Sequence, residues 1–255
     1  MIPLIFSLVP IVFIYMCAWF VISIFIKRND IADVAWGLGF ILVAYYTYLT
    51  HLITSLSIVT VTLVSVWGLR LALHIYARNK NKKEDSRYSA WRKEWGSWFY
   101  VRSFLQVYVL QGILLLLVSM APISVIVSGQ EIQWYHVFGI FVWLFGFYFE
   151  AVGDFQLAQF IKNKNNAGKI MTKGLWAYTR HPNYFGEVTQ WWGIWLLALP
   201  STYALFGIIG PLTISFLILK VSGIPMLEKK YEGNKEFESY KRRVSSFIPR
   251  FPQDN

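Results

Sequence analysis

Residues 174–187 read GLWAYTRHPNYFGE and lead directly into the apolar run 188–199. A residue before proline avoids the helical region of backbone space, and proline itself suits the first turn of a helix. Tyr178, Arg180 and His181 are therefore predicted to lie on a loop, and the helix is predicted to begin at the proline.

Asn183 and Glu187 fall in the first turns of that predicted helix. They are four residues apart and share one helical face. An ionised glutamate facing lipid is costly, so we expect this face to point into the protein or at a polar ligand.

The composition is that of an integral membrane protein, with 56% hydrophobic, 18% aromatic and 15% charged residues in a chain of 255. Crossing a bilayer takes about 20 apolar residues, and runs of this kind occur seven times. They are 2–26, 32–50, 56–76, 101–127, 135–158, 183–199 and 202–221. The sequence predicts an all-α, polytopic membrane bundle of about seven transmembrane helices, with residues 1–255 as a single domain.

The basic residues have a regular distribution. All 24 Lys and Arg residues follow odd-numbered spans or lie in their last turns. By the positive-inside rule the N-terminus is predicted outside and the C-terminus in the cytoplasm, which suits a bacterial inner membrane. This topology, with attraction to anionic membrane lipid, explains the net charge of +10. No motif supports a nucleic-acid partner.

Metal binding is not expected from this sequence. The four histidines and the single cysteine show no HExxH, CxxC or other ligand spacing.

Several ionisable or amide residues fall inside the predicted spans, where they are costly and point to function. From the topology we expect them to gather in the cytoplasmic half of the bundle. They are Asp33, Arg70, His74, Glu150, Asp154, Asn183, Glu187 and Lys220. A polar cofactor that enters from the cytoplasm is favoured, and a salt-bridge network that only fixes helix packing is the alternative.

Span 2 carries an acid together with an aromatic stripe. Asp33, Trp36, Gly37 and Phe40 fall along one side of the predicted helix. An acid beneath an aromatic wall is the arrangement of a lipid-like substrate pocket over a polar reaction centre.

The motif at 174–187 resembles the C-terminal motif of membrane steroid 5α-reductases and related bacterial membrane proteins, and more distantly that of sterol C14 reductases. The steroid-reductase-like half is expected at about 101–255, but the resemblance covers nearly the whole chain. Its other segments are DVAWGLGF at 33–40, WGLRLALH at 67–74, EDSRY at 84–88 and ESYKRRVSSFIPRFP at 238–252.

This resemblance implies a seven-helix bundle in which NADPH reduces a carbon–carbon double bond conjugated to a carbonyl, in a hydrophobic or lipid-like substrate. Carried over by motif, the positions that match cofactor contacts are Arg70, Asp154, Tyr178, Asn183 and Glu187. Lys169 stands where the steroid enzymes place an arginine near the cofactor phosphates. Lys162, Arg180 and His181 complete the expected cofactor-binding set.

The sequence also departs from the steroid enzymes. Glu150, also expected at the cofactor, lies where an asparagine would stand. In the steroid enzymes a Gln–Glu pair and a tyrosine polarise the substrate carbonyl. The nearest equivalents in this sequence are Asp33 and Trp67. An Asp33 that keeps its proton is the predicted catalytic donor, and Trp36, Phe40 and Trp67 are the predicted substrate-binding residues. No GxGxxG motif stands in a strand–turn–helix context, so a Rossmann cofactor site is excluded.

Two other classes remain open. Membrane methyltransferases of the isoprenylcysteine or phospholipid type also contain an RHPxYxG motif and bind S-adenosylmethionine. Asn183, Glu187 and the DVAWG segment favour the reductase. A non-catalytic lipid-binding protein would have no need of the buried acids.

The charge pattern makes the orientation testable. A reporter fused after Asn255 should be active in the cytoplasm and inactive outside, because the basic residues follow odd-numbered spans. A C-terminal fusion active only outside the cell would overturn both the orientation and the cytoplasmic placement of the predicted site.

Overall fold

The fold is built from helices. The computed structural model describes residues 1–80 and 82–252, is 79% helical and contains no β-strand within those ranges. The α-helices in chain order are α1 (Ile2–Ile26), α2 (Ala32–Thr50), α3 (Ser55–Asn79), α4 (Ser86–Trp95), α5 (Phe99–Ser103), α6 (Leu110–Val127), α7 (His136–Lys162), α8 (Pro182–Ala198), α9 (Ala204–Gly207), α10 (Ile209–Phe216), α11 (Ile224–Glu228) and α12 (Lys235–Arg243). The all-α prediction is confirmed.

Among the residues that the structure describes, six helical segments are long and apolar enough to cross a membrane. They are Ile2–Ile26, Asn29–Thr50, Ser55–Asn79, Arg87–Val127, His136–Lys162 and Ala204–Tyr231. The helix α8 has 17 residues, which at about 1.5 Å per residue gives about 26 Å, the lower end of what a bilayer core requires. An integral membrane protein is thus supported by helix length and composition, while the count of seven and the orientation stay predictions.

Local side-chain contacts explain where several helices begin. The Thr54 side chain accepts from the Ser57 backbone N–H, and the Ser57 side chain accepts from that of Thr54, a capping box that starts α3. Asp85 caps α4 by accepting from the Arg87 backbone N–H, and Asn234 caps α12 in the same way. These caps satisfy backbone donors that the first helical turn leaves unpaired.

The chain divides into two compact units. The first comprises Met1–Ile132 with Ala198–Gly210, and the second comprises Gln133–Leu197 with Pro211–Asn255, of which residues up to 252 are described. The prediction of a single domain stays a prediction.

In the first unit, α2 and α3 approach closely at Gly37 and Gly68. A Cβ added to Gly37 would lie 2.6 Å from the carbonyl oxygen of Gly68. The approach lets Phe40 pack on Trp67, with ring centroids 5.3 Å apart. Both side chains are buried, so these aromatic residues belong to the core of this unit.

In the second unit, α7 and α8 cross at Gly146 and Gly186. A Cβ on Gly146 would lie 2.6 Å from the Gly186 carbonyl oxygen, and one on Gly186 would collide with the backbone of Gly146 and Glu150. Only residues without a side chain allow two helix backbones to come this close.

The C-terminal segment of the second unit packs through its apolar side chains. Phe237, Tyr240 and Val244 form a buried cluster against Ile170. Burial raises the pKa of the Tyr240 hydroxyl, so that group keeps its proton and donates to the Trp176 carbonyl oxygen at 2.5 Å. These contacts hold the C-terminal segment on the loop between α7 and α8.

The close crossing makes Gly186 a sensitive position. Gly186→Ala should lower stability by about 1–3 kcal/mol or more, because the new methyl group meets backbone that cannot move aside. Thermal unfolding of the detergent-solubilised protein measures this effect. Gly112→Ala is the matched control, since a Cβ at Gly112 meets only the side chains of Met16 and Val12 at 3.3 and 3.5 Å. Equal melting temperatures for the two variants would contradict the close approach.

Candidate functional site

The loop before α8 is fixed on α7. A 3-10 turn covers Gly174–Ala177, and Gly174 has a φ of +62°, which favours glycine. The Trp176 indole N–H donates to the Gly153 carbonyl oxygen at 3.1 Å. The Leu175 backbone N–H donates to the Gln156 side chain at 2.9 Å. The sequence prediction of a loop that leads into a helix beginning at Pro182 is confirmed.

Two pairs of polar side chains connect α7 to α8. The Asn183 amide N–H donates to an Asp154 carboxylate oxygen at 3.0 Å. One turn earlier on α7, a Glu150 oxygen accepts a hydrogen bond from the Gln190 amide N–H at 2.5 Å. Glu150 and Gln190 are 2% and 1% exposed, which places an acid–amide pair in the interior of the unit.

Gln190 is a residue that sequence reasoning missed. It follows Asn183 by seven residues and Glu187 by three, a spacing that puts it on their helical face. That spacing is the signal that could have identified it.

The two amides leave two buried acceptors unsatisfied. A carboxylate only accepts hydrogen bonds, so each amide must turn its nitrogen toward the acid and its oxygen away. Within the described part of the chain, the buried Asn183 Oδ1 and Gln190 Oε1 have no hydrogen-bond partner. Each such oxygen costs about 1–3 kcal/mol in desolvation, and a ligand with N–H or O–H donors would recover it.

Arg180 and His181 bind parts of the protein itself. The Arg180 guanidinium donates to Glu228 at 2.9 Å and to the backbone carbonyl oxygens of Lys241 and Val244 at 3.2 and 2.5 Å. The His181 Nε2 atom lies 3.0 Å from the same Glu228 oxygen. Arg180 therefore ties the segment around α12 to the start of α8. Its cofactor contact, like that of His181, stays a prediction.

The remaining predicted cofactor residues of this unit differ in exposure. Tyr178 is 39% exposed, and its ring packs on Phe251 with centroids 5.8 Å apart. Glu187 is half-buried in the second turn of α8, whereas Lys162 and Lys169 are exposed at the end of α7 and in the loop after it. The lysines are free to reach a ligand from the surface, and Glu187 lies on the face of the amides.

The predicted substrate residues lie in the first unit. The rings of Trp36 and Phe40 are 4.9 Å apart, and Phe40 in turn contacts Trp67, so the predicted aromatic stripe is a real cluster. Asp33 lies at the start of α2, and the Tyr88 hydroxyl donates to it at 3.0 Å. Arg70 is half-buried on α3.

Asp33 also forms an ion pair with Arg87 at 3.4 Å. Arg87 is held in place by Asp85, 3.0 Å from its Nε. Both groups donate to Asp33, which accepts from each of them. The sequence did not identify Tyr88 and Arg87 as partners, because they belong to a separate helix, α4.

Among residues 1–80 and 82–252, no group of three or more His, Cys, Asp or Glu side chains could hold a metal ion.

Comparison with protein families gives a match over residues 19–244, to the family described as a protein of unknown function (DUF1295). The chain belongs to this family. No curated protein matches it, and no solved structure does. The family match includes Asp33 with its partners as well as the acid–amide pairs of α7 and α8, so both sets of residues lie in the part that defines the family.

The contacts of Arg180 predict that a substitution at this position loosens the C-terminal segment. In Arg180→Lys, a single ammonium can stay beside Glu228, which His181 also contacts, but it cannot reach the carbonyl oxygens of Lys241 and Val244 as well. Each carbonyl oxygen left without a donor costs about 1–3 kcal/mol. Hydrogen–deuterium exchange of peptides covering 235–250 should become faster. In the control Lys241→Ala, only an exposed side chain of the same segment is lost, and exchange there should match the parent. An Arg180→Lys protein with parental protection would show that other contacts hold this segment.

Proposed function

We propose that this protein is a membrane-embedded reductase that uses NADPH to reduce a carbon–carbon double bond conjugated to a carbonyl, in a hydrophobic, steroid-like or lipid-like substrate. The proposal rests on the resemblance to membrane steroid 5α-reductases and on the polar side chains of α7 and α8. The observation that carries it is the pair of buried amide oxygens of Asn183 and Gln190, unsatisfied within the described residues and held in place by two carboxylates.

These acceptors suit the neutral half of a nicotinamide dinucleotide. A carboxamide N–H and ribose hydroxyls are donors, and Asn183, Gln190 and Glu187 present acceptors on one helical face. The phosphates need the opposite chemistry, and the exposed Lys162 and Lys169 of the same unit supply it. Bound there, NADPH supplies the hydride.

The same acceptors would also suit the positive groups of S-adenosylmethionine. This methyl donor has one carboxylate and no phosphate, however, so the two lysines Lys162 and Lys169 match it less well than they match a dinucleotide with several phosphates. We therefore place the methyltransferase second and let the experiment separate the two classes.

At the substrate end, addition of hydride to an enone places negative charge on the carbonyl oxygen, and one donor aimed there lowers the barrier by roughly 3 kcal/mol. Asp33 can donate only if it carries a proton. The Tyr88 hydroxyl donates its only proton to Asp33, whereas Arg87 keeps further N–H groups beside its contact with the carboxylate, so we assign Asp33 a positioning role in which it orients Arg87. Of the predicted substrate-binding residues, the half-buried Trp36 is the one that a hydrophobic substrate could contact, and the buried Phe40 and Trp67 would support it.

The decisive assay uses the full-length protein in lipid nanodiscs. One arm receives NADPH deuterated at the transferable position with a panel of hydrophobic enones, and the other receives methyl-labelled S-adenosylmethionine with lipid acceptors. Deuterium should appear in the product at the carbon β to the carbonyl. Methyl transfer without deuterium incorporation would overturn the reductase and establish the alternative.

Variants at the two sets of residues should separate binding from turnover. Asn183→Ala should weaken NADPH binding about tenfold, a loss of about 1.4 kcal/mol, because it removes one acceptor and the amide that donates to Asp154. The matched control on the same helix is Thr189→Ala, since the Thr189 hydroxyl donates to the Phe185 carbonyl oxygen. Parental NADPH affinity in Asn183→Ala would remove this residue from the cofactor site.

Asp33→Asn should instead lower kcat with little change in NADPH affinity, since the lost interaction acts in the transition state. Arg87→Ala should lower kcat in the same way if Asp33 acts through this partner. Parental turnover in both variants would remove this pair from the reaction.

A further inference from the structure

A small cleft lies in the first unit where α1 ends. It has room for about one water-sized group, about 10 Å³. Its lining combines apolar side chains with basic and amide groups. The residues are Phe20, Ser23, Ile24, Lys27, Asn29, Arg92, Phe99, Tyr100 and Ser103. None of them belongs to the set that we assign to the reductase.

The cleft contains a buried donor without an acceptor. Asn29 is 2% exposed, and its side-chain oxygen accepts from the Ser103 hydroxyl at 2.9 Å. Its backbone N–H donates to Glu84 at 2.7 Å. The amide nitrogen Nδ2 is buried and has no hydrogen-bond partner in the described ranges. A buried amide N–H of this kind is satisfied when water or a ligand oxygen accepts from it.

The charge beside this donor is positive. Arg92 lies in the cleft wall, paired with Glu84 at 3.1 Å and stacked over the Phe99 ring at 4.0 Å. Because this pair is neutral, the exposed ammonium of Lys27 gives the cleft its net positive charge. An anionic acceptor therefore matches the cleft better than a neutral one.

The backbone at Lys27 is unusual. Lys27 caps α1 in the left-handed conformation, with φ 55° and ψ 36°. Among the described residues it is the non-glycine position with a positive φ. Glycine is the residue that favours this position, because a Cβ is unfavourable there. Lys27 adopts this conformation although it carries a side chain, and its ammonium adds a positive charge to the cleft.

We infer that this cleft binds the phosphate of an anionic phospholipid, with one phosphate oxygen accepting from the Asn29 Nδ2 and the Lys27 ammonium neutralising its charge. The space admits one oxygen rather than a whole headgroup, so the remainder of the phosphate lies at the mouth.

The surroundings favour a lipid over free phosphate as the source. Ile24 and Phe25 of α1 are 39% and 81% exposed, which gives acyl chains an apolar surface beside the cleft. Trp98 and Tyr100 are 66% and 51% exposed at the same end. Aromatic side chains of this kind are enriched at the level of lipid headgroups.

The test uses purified full-length protein in a zwitterionic detergent. It is titrated with phosphatidylglycerol, with phosphatidylcholine or with inorganic phosphate, and bound molecules are counted by native mass spectrometry. We expect phosphatidylglycerol to bind at least fivefold more tightly than phosphatidylcholine, and inorganic phosphate not to displace it. Equal affinity for the two lipids would overturn the inference, and displacement by millimolar inorganic phosphate would assign the site to the free anion.

Variants test the two groups separately. Lys27→Gly removes the ammonium and suits the left-handed backbone, so the protein should stay folded while its preference for phosphatidylglycerol falls to near one. Lys27→Arg should keep the preference. Asn29→Asp keeps the acceptor for Ser103 and places a carboxylate oxygen where the donor was, so it should lower phosphatidylglycerol affinity further.

Lys93→Ala is the matched control, because Lys93 is exposed on α4 and does not line the cleft. It should leave lipid affinity unchanged. A parental preference in Lys27→Gly, or an equal loss in Lys93→Ala, would show that diffuse surface charge rather than this cleft selects the lipid. Because the readout is lipid binding, its failure would leave the proposed reductase activity untouched.

Discussion

The arrangement of the second unit depends on one constraint, the close crossing of α7 and α8 at Gly146 and Gly186. Two helices that carry side chains at their contact lie about 8–10 Å apart, and glycine removes that spacer. At the shorter distance, short polar side chains on one helix reach the other. Asn183 meets Asp154 and Gln190 meets Glu150 because of the crossing. A methyl group at Gly186 would separate the helices, and both acid–amide pairs would lose contact together. The packing and the polar chemistry therefore cannot be varied independently.

A second constraint fixes the approach to α8. Burying Arg180 is costly unless its donors are satisfied. Here one carboxylate and two backbone carbonyl oxygens satisfy them, and those carbonyls come from the last turn of α12 and the residue after it. The Arg180 guanidinium thus adds to the hydrogen bonds that hold the C-terminal segment on the loop before α8, among them those from the Tyr240 hydroxyl to Trp176 and from the Arg180 backbone N–H to Ser245. The Thr179 hydroxyl adds a contact to the Phe247 carbonyl oxygen at 2.8 Å. Asn183 lies three residues after Arg180. The position of the predicted cofactor-binding face of α8 therefore depends on the C-terminal segment that Arg180 contacts.

The helices could be predicted from the sequence far better than the contacts between them. Spans 2–26 and 32–50 agree with α1 and α2 to the residue, because the hydrophobicity of a segment is a local property of the chain. The hydrogen-bond partner of a side chain is not a local property, because it lies elsewhere in the chain. Glu150 and Asp154 are neighbours on one helix, yet each hydrogen-bonds to a different amide of α8. The sequence predicts that Asp33 shares a helical face with Trp36 and Phe40, but its contacts with Tyr88 and Arg87 depend on where α4 folds. The sequence does contain one signal of the contact between α7 and α8. Glycines recur every seventh residue, at 139, 146 and 153 on α7 and at 186 and 193 on α8. That period marks the two faces that meet.

The unsatisfied amide oxygens connect this packing to function. A fold selected for stability alone would replace Asn183 and Gln190 with apolar residues, since each unpaired buried acceptor costs about 1–3 kcal/mol. A ligand that binds only the folded protein stabilises it. The free energy of unfolding rises by about 2.7 kcal/mol when the ligand concentration is one hundred times its dissociation constant. The two magnitudes are comparable. The cost of the open acceptors in the unliganded protein is therefore of the size that one saturating ligand offsets. Open acceptors at the crossing of α7 and α8 are therefore what the proposed cofactor site requires, because a ligand that donates to them offsets their cost.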